Sequence, residues 1–410
     1  MPEKRDRALL FAVAFAARLA AADARGMLSV RFGDSLAYIG AAQRLVREGS
    51  YPGNTDRFFF RAPGYPFFLA ASTLGHPGWI ALDKIWNALL GAAFVVLLAA
   101  IARRVFASRE IGLAVGGIAA LHPPFLFLGS QIQSEPLYLV CAAAAGFLLL
   151  VCVDRPSSGM GLLAGGALAA ASFVRPSALV LCPLLAAPLF DRRYPPRVRR
   201  ALAGSAVLGF CLLLAPWTLR NALRFNAFLP VNDEMGFVLY QGNSDWNVRF
   251  YRLRSSEDYR SWLAEFNLAG TTKWNTEIPG LAAPNTVRPS SALAAAGVRW
   301  ARTHPREEAW LLWKKATEWL RPGASPLVRS RAVVAMTTIY YGALFLAAAA
   351  GLAASRRRGI AAFCVATLAI TMAVHVALLV LLRYRMASWD PILILYAPSG
   401  ILRIFGEIRR

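Results

Sequence analysis

Residues 159–190 read GMGLLAGGALAAASFVRPSALVLCPLLAAPLF. Whether this run crosses a membrane once or twice decides the topology of everything around it. As one helix it would place the next cluster, Arg192, Arg193, Arg197, Arg199 and Arg200, outside, against the bias of Lys and Arg toward the cytoplasmic face. As two passes broken at Arg175-Pro176 it places that cluster inside. Pro176 disfavours the helical conformation at Arg175 and offers the break, so two passes are expected. Each half has only about 15 residues, or roughly 23 Å at helical rise, short of a hydrocarbon core of ~30 Å. Arg175 is therefore expected to sit recessed below the outer surface, where a charge is costly and usually lines a cavity.

Runs of this kind recur along all 410 residues. The chain is 57% hydrophobic with a mean hydropathy of +0.45, far above an ordinary soluble domain, and it reads as an all-α polytopic membrane protein. The net charge of +22 brings nucleic acid to mind. Most of the basic residues, however, sit in short clusters between apolar runs, as the positive-inside rule produces, so nucleic acid is not expected as a partner. Cys141, Cys152, Cys182, Cys211 and Cys364 lie inside apolar runs without metal spacing, and the four histidines are scattered. Residues 4–22 have a basic start and an apolar stretch like a signal peptide, but Arg18 interrupts the stretch, and an uncleaved first helix is the reading taken.

Starting inside at Lys4, Arg5 and Arg7, about ten passes follow: 7–25, 79–102, 110–128, 136–153, the two halves of 159–190, 201–219, 331–354, 360–382 and 387–405. Three regions result: a transmembrane module over 1–224 with a first outer loop at about 26–78, an outer region over 225–330 of helical and irregular structure, and C-terminal transmembrane helices over 331–410. This parity places Asp34, Arg61, Glu135, Arg175, Arg220, Asn221, Arg383 and Arg385 on one face of the membrane, which predicts a polar cleft there.

Each of these residues also has a plainer reading. Residues 35–48 have the spacing of an amphipathic helix on the bilayer surface, with Gly49 as its C-cap; Asp34 is then an N-cap, a catalytic base, or both. In Arg61-Ala62-Pro63-Gly64-Tyr65-Pro66 two prolines fix a turn before a helix start. Arg61 and Tyr65 are interfacial anchors there, or Arg61 is a phosphate contact. Glu135, after Ser134, favours the N-terminus of its helix. Arg175 needs an anionic or carbonyl partner. Arg383-Tyr384-Arg385 is an anchor pair or part of the cleft.

The outer region holds seven tryptophans from Trp246 to Trp319, read mainly as packing and headgroup anchors, with Asn221 and Gly242-Asn243 as polar spots near the membrane exit. No nucleotide loop, metal-ligand cluster or Ser/Cys triad pattern is present in the sequence.

In chain order the motifs are D-S-x-x-Y (Asp34, Ser35, Tyr38), R-x-P-G-Y-P (Arg61 to Pro66), S-E-P-L (Ser134 to Leu137) and R-P-S-A-L (Arg175 to Leu179). P-W-T-L-R-N (Pro216 to Asn221), G-N (Gly242, Asn243) and R-Y-R (Arg383 to Arg385) complete the series. Together they resemble the GT-C glycosyltransferases, in the bacterial branch related to protein O-mannosyltransferases and the lipid A aminoarabinose transferase (glycosyltransferase family 39-like).

The resemblance implies inverting transfer of a sugar from a polyprenyl-phosphate donor to a lipid, glycan or protein acceptor. The setting it implies is the periplasmic face of the bacterial inner membrane, with both termini cytoplasmic. It further implies Asp34 as base and Arg61 as a donor-phosphate contact, with Arg175, Arg383 and Arg385 as further cations. Tyr38, Tyr65, Glu135, Asn221 and Asn243 would bind substrate. Relatives with two adjacent acids in the first loop differ from this chain, where Ser35 follows Asp34, so a divalent metal is not supported and no other cofactor is expected. Two rivals share many features: a polymerase or ligase of lipid-linked glycans that uses a diphosphate donor, and a transporter, which should show paired repeats with broken helices that this sequence lacks.

Overall fold

The computed structural model describes residues 2–30, 33–51, 61–73, 76, 78–271, 278, 287–323 and 330–405. All regular structure among them is helical. Helix α1 (Pro2–Asp23) leads to the surface helix α2 (Gly33–Glu48) and the short α3 (Gly64–Ser72). Gly49 closes α2 at φ +61°, the left-handed conformation expected of a C-cap glycine. Then come α4 (Ile80–Phe106), α5 (Arg109–Leu121), α6 (Pro123–Gly129), α7 (Glu135–Asp154) and α8 (Ser158–Val174). Among the described residues five helices are long and apolar enough to cross a membrane: α4, α7, α9 (Pro196–Phe225), α15 (Arg331–Ala353) and α16 (Arg358–Ala377). The pair α5 and α6, bent by 57° at His122-Pro123, makes a sixth if taken as one span. The other expected passes fall on α1, α8, residues 176–190 and α18 (Asp390–Ile404), which are shorter or more charged.

Residues 159–190 do divide at Arg175, as expected, but the second half differs from a short α-helix. Pro176–Phe190 is a 3-10 helix of 15 residues. Pro176 stands at the first helical position, where proline is tolerated, but the interior Pro183 and Pro188 each lack an N–H and would clash with the carbonyl four residues back in an α-helix. At about 2.0 Å per residue the 3-10 form spans roughly 30 Å, a full hydrocarbon core. The stretch expected to be short is thus long enough because it is wound more tightly. The first half packs closely on α9: a Cβ on Gly165 would collide with the carbonyl of Ala206, and one on Gly209 with that of Leu162. Small residues allow this backbone approach where lipid supplies no hydrophobic drive between helices.

The main core runs through α4, α5, α7, α8, α15 and α18, with Val95, Leu98, Val115, Leu139, Leu168, Leu344 and Ile394 buried together. Arg18 is fully buried in it. Its guanidinium donates to Ala14 O of its own helix at 2.9 Å, and to Ala120 O at 3.3 Å and Ala119 O at 3.4 Å, carbonyls freed where α5 ends. Beyond that break His122 Nε2 meets Asp390 at 2.9 Å, and Tyr341 donates to the same carboxylate oxygen at 2.6 Å.

Outside the bundle lie α10 (Met235–Gly242), α11 (Asp245–Arg252), α12 (Ser256–Thr271), α13 (Val287–Thr303) and α14 (Pro305–Leu320). They have an apolar cluster of their own, in which Trp262 and Phe266 stack with centroids 5.2 Å apart. Trp300 and Trp319 are also buried, whereas Trp313 is exposed; Trp274 lies outside the described residues.

At one end of the bundle Asp6 pairs with Arg109 (2.7 Å) and Arg103 (3.6 Å), and Asp154 with Arg104 (2.8 Å), Arg357 (3.4 Å) and Arg193 (3.7 Å). The first loop and the starts of α7 and the 3-10 helix lie at the other.

Candidate active site

At that other end four separate segments meet. Gly64 allows the first contact: a Cβ there would come within 2.8 Å of the backbone at Phe173 and Val174, so the Arg61–Pro66 turn seats directly against the end of α8. Ser35 donates to Ile132 O at 2.7 Å, and Gln133 donates to Ser35 Oγ at 3.3 Å. These bonds fix α2 to the turn before α7. In that turn Ser134 Oγ accepts from Arg175 at 3.1 Å and meets Tyr38 Oη at 3.2 Å. Three motifs that are far apart in sequence are therefore bonded directly to one another.

On this frame Asp34 stands between two arginines. Arg61 Nη2 reaches Oδ1 at 2.8 Å and Arg383 Nη1 reaches Oδ2 at 2.5 Å. Arg61 also pairs through Nη1 with Glu234 at 2.5 Å and lies over the Tyr38 ring at 5.8 Å. Deeper, Arg175 pairs with Glu135 at 2.8 Å and lies over Tyr384 at 5.2 Å. Exposure is graded: the side chains of Asp34, Arg61 and Arg383 are 21%, 26% and 30% exposed, those of Arg175 and Glu135 14% and 0%. The upper group is partly exposed and the lower pair lies buried beneath it, the grading a polar cleft requires. Burial pushes the Asp34 carboxyl up, but the charges of Arg383 and Arg61, the Arg383 hydrogen bond and the charge of Arg175 outweigh it. Its pKa lies below the ordinary carboxylate value, so the group is ionised at neutral pH.

The cleft thus brings together Asp34, Tyr38, Arg61, Glu135, Arg175 and Arg383. Tyr65 stands just behind it, fully buried, edge-on to Tyr38 at 5.0 Å and donating to Asn87 at 3.2 Å. The other expected site residues lie elsewhere. Arg385 is fully buried, donates to Trp319 O at 3.0 Å and to Arg321 O, and sits over the Tyr341 ring at 4.6 Å. Residues two apart on a helix do not share a face, so Arg383 and Arg385 of α17 (Leu382–Ser388) point to different surroundings.

Asn221 donates to Leu229 O at 3.0 Å and Val231 O at 3.1 Å, and its neighbours Trp217 and Thr218 bond the same turn. The P-W-T-L-R-N motif therefore clamps the chain just before Glu234. Asn243 donates to Ala377 O at 3.1 Å at the end of α16, while a Cβ on Gly242 would collide with Leu378 O. The G-N motif seats the segment that carries Arg383.

Glu234 was not among the residues expected from the sequence; only its position after the clamped turn distinguishes it. Among the described residues no group of three His, Cys, Asp or Glu is placed to hold a metal ion, and the three carboxylates here, Asp34, Glu135 and Glu234, each face a guanidinium.

No family model matches the sequence, and no curated protein matches it. Solved structures do match by fold. The oligosaccharyltransferase AglB from Archaeoglobus fulgidus, in complex with an inhibitory peptide and a dolichol-phosphate, superposes with a TM-score of 0.58 at 11% identity, over 98% of this chain and 50% of that one. The apo form of the Archaeoglobus fulgidus oligosaccharyltransferase gives a TM-score of 0.58 at 12% identity, over 98% and 51%. ArnT from Cupriavidus metallidurans bound to undecaprenyl phosphate gives 0.46 at 15% identity, over 97% and 77%. The chain spans about half the length of the archaeal protein. Over nearly all of its own length, this chain has the fold of the GT-C membrane glycosyltransferases that its motifs resemble.

Proposed function

We propose that the protein is an inverting membrane glycosyltransferase that moves a sugar from a polyprenyl-phosphate donor to an acceptor hydroxyl in the cleft around Asp34. The observation that carries this reading is one accessible carboxylate held between two accessible guanidiniums, Arg61 at 2.8 Å and Arg383 at 2.5 Å. An acceptor hydroxyl must lose its proton as it attacks the anomeric carbon, and Asp34 takes it. The leaving lipid phosphate gains charge as its bond to the sugar breaks, and Arg61, Arg383 and Arg175 are the cations that meet it. One base and one displacement give inversion.

The resting site also explains when the base acts. While both arginines hold Asp34, its carboxylate is a weak base. A donor phosphate offers Arg61 and Arg383 a competing anion, which frees Asp34 toward the acceptor. A fold relative solved with dolichol-phosphate is in keeping with a lipid-phosphate donor. The arginine clusters around Asp6 and Asp154 at the opposite end support a cytoplasmic reading of that end by the positive-inside rule, and with it our proposal that the cleft opens on the outer face of a bacterial inner membrane.

The test is Asp34→Asn in membranes supplied with labelled polyprenyl-phosphate sugar. Transfer is expected to fall about 10²–10⁴-fold. Normal transfer by a correctly inserted variant overturns the assignment. Supplying diphosphate-linked donors in parallel separates this activity from that of a glycan ligase.

A further inference from the structure

At the end of the bundle opposite the cleft lies a second cavity, of about 550 Å³, within the ~300–1,000 Å³ range of small-molecule sites. Its walls follow helical periods. On α7 they are Gly146, Leu149, Leu150 and Val153, and on α16 Ile360, Phe363, Cys364 and Thr367, each set spaced i, i+3, i+4, i+7. On the 3-10 helix they are Leu184, Ala187 and Phe190, spaced by three, the residues that eclipse at three per turn. These three helix faces are completed by Ile101 and Val105 of α4 and Ile392 and Leu395 of α18. Gly146 is exposed and a Cβ on it would meet nothing within 4 Å, so the cavity is open beside it.

The rim has a different chemistry. Arg193, Arg357 and Arg358 line it together with Asp154 and Asp191. Asp154 is shared by Arg104, Arg193 and Arg357, and Asp191 pairs with Arg193 at 2.7 Å. Arg358 is exposed and makes no ion pair among the described residues. Three lining arginines, with Arg104 behind them on Asp154, against two carboxylates leave an excess of positive charge where the apolar walls end.

An apolar slot between membrane helices with a cationic rim at one bilayer surface fits a molecule with a hydrocarbon chain and an anionic head. We propose that this cavity binds one anionic phospholipid of the leaflet opposite the cleft, its acyl chain between α7, the 3-10 helix and α16 and its phosphate at Arg193, Arg357 and Arg358. Three of the elements involved, α7, α16 and the 3-10 helix, run toward the cleft, so the lipid fills a space between the helices that position Glu135 and Arg175.

The purified full-length protein in detergent, titrated with phosphatidylglycerol or phosphatidylcholine and read by native mass spectrometry, tests this. One phosphatidylglycerol is expected to be retained at a concentration about tenfold lower than phosphatidylcholine. Gly146→Phe, which fills the cavity, and the pair Arg357→Ala with Arg358→Ala, which strips the rim, are each expected to abolish that preference. Equal retention of the two lipids overturns the proposal, as does phosphatidylglycerol binding that survives both variants. Displacement of phosphatidylglycerol by equimolar undecaprenyl phosphate also overturns it, since the cavity would then belong to the donor lipid.

Discussion

Two arginines of one short helix hold their charge in opposite ways. Around Arg383 the partner is a carboxylate, Asp34, and the side chain remains 30% exposed. Around Arg385 the partners are the carbonyls of Trp319 and Arg321 and the faces of Tyr341 and Phe345, and nothing is exposed. A buried guanidinium held through Nη1 by backbone carbonyls and packed on aromatic faces is part of the framework: no substrate can displace those partners without unfolding the segment. A guanidinium paired with one accessible carboxylate can exchange it for another anion. The number of arginines at this end of the bundle is therefore a poor guide to its chemistry, and the identity of each partner is a good one.

The contrast is sharpest under substitution. Arg385→Ala leaves two carbonyls unpaired and a large cavity, and is expected to cost about 3–5 kcal/mol of stability, seen as a lower thermal midpoint in detergent. Arg383→Ala should leave that midpoint nearly unchanged and weaken donor use roughly 10–100-fold, seen in donor titrations of transfer. The reverse pattern would exchange the two roles.

Arg383→Ala has a second signature. The Arg383 and Arg61 charges hold the Asp34 pKa down against burial, so removing Arg383 raises it. The acid limb of the pH–rate profile for transfer is expected to move to higher pH in the variant, and an unmoved limb would separate Asp34 from that titration.

The smallest effect expected lies in the outer region. Lys315 is buried and donates to Asn243 Oδ1 at 2.8 Å and Gly242 O at 3.3 Å. Burial pushes its pKa down from 10.5 to about 8, against the pull of Glu308. The native state then holds this proton less tightly than the unfolded chain. Below about 8 both states are protonated and the full cost is present; stability rises as pH increases from about 8 to 10.5. Lys315→Met is expected to flatten that slope in thermal midpoints measured across the window.

Much of this was legible in the sequence, for physical reasons that can be named. Charge bias and the proline at 176 set the parity, and parity alone placed Asp34, Arg61, Glu135, Arg175 and Arg383 on one face. What the sequence did not show depends on three-dimensional phase. Arg383 and Arg385 look equivalent until the helix that carries them is seen to start afresh at Leu382. Asn221 and Asn243 looked like polar groups facing substrate; in the structure each spends its amide on backbone carbonyls, because chain ends and turns leave those groups unpaired. Glu234 has no motif around it and becomes visible only once Trp217, Thr218 and Asn221 have fixed the turn in front of it. The roughly 23 Å estimate for each half of 159–190 failed for the second half because it assumed an α-helical rise for a segment that the interior Pro183 and Pro188 keep from being regular α-helix.

That 3-10 helix has a mechanical consequence. It joins Arg175 under the cleft to Asp191 at the far rim as a strut of fixed length, since its prolines bar it from rewinding into the shorter α form. A bilayer thinner than the strut is then met by tilt or by local thickening of the bilayer rather than by shortening. A tilt of this strut would carry Arg175 sideways under Asp34 instead of drawing it down, which links the alignment of the cations with the base to the thickness of the host membrane.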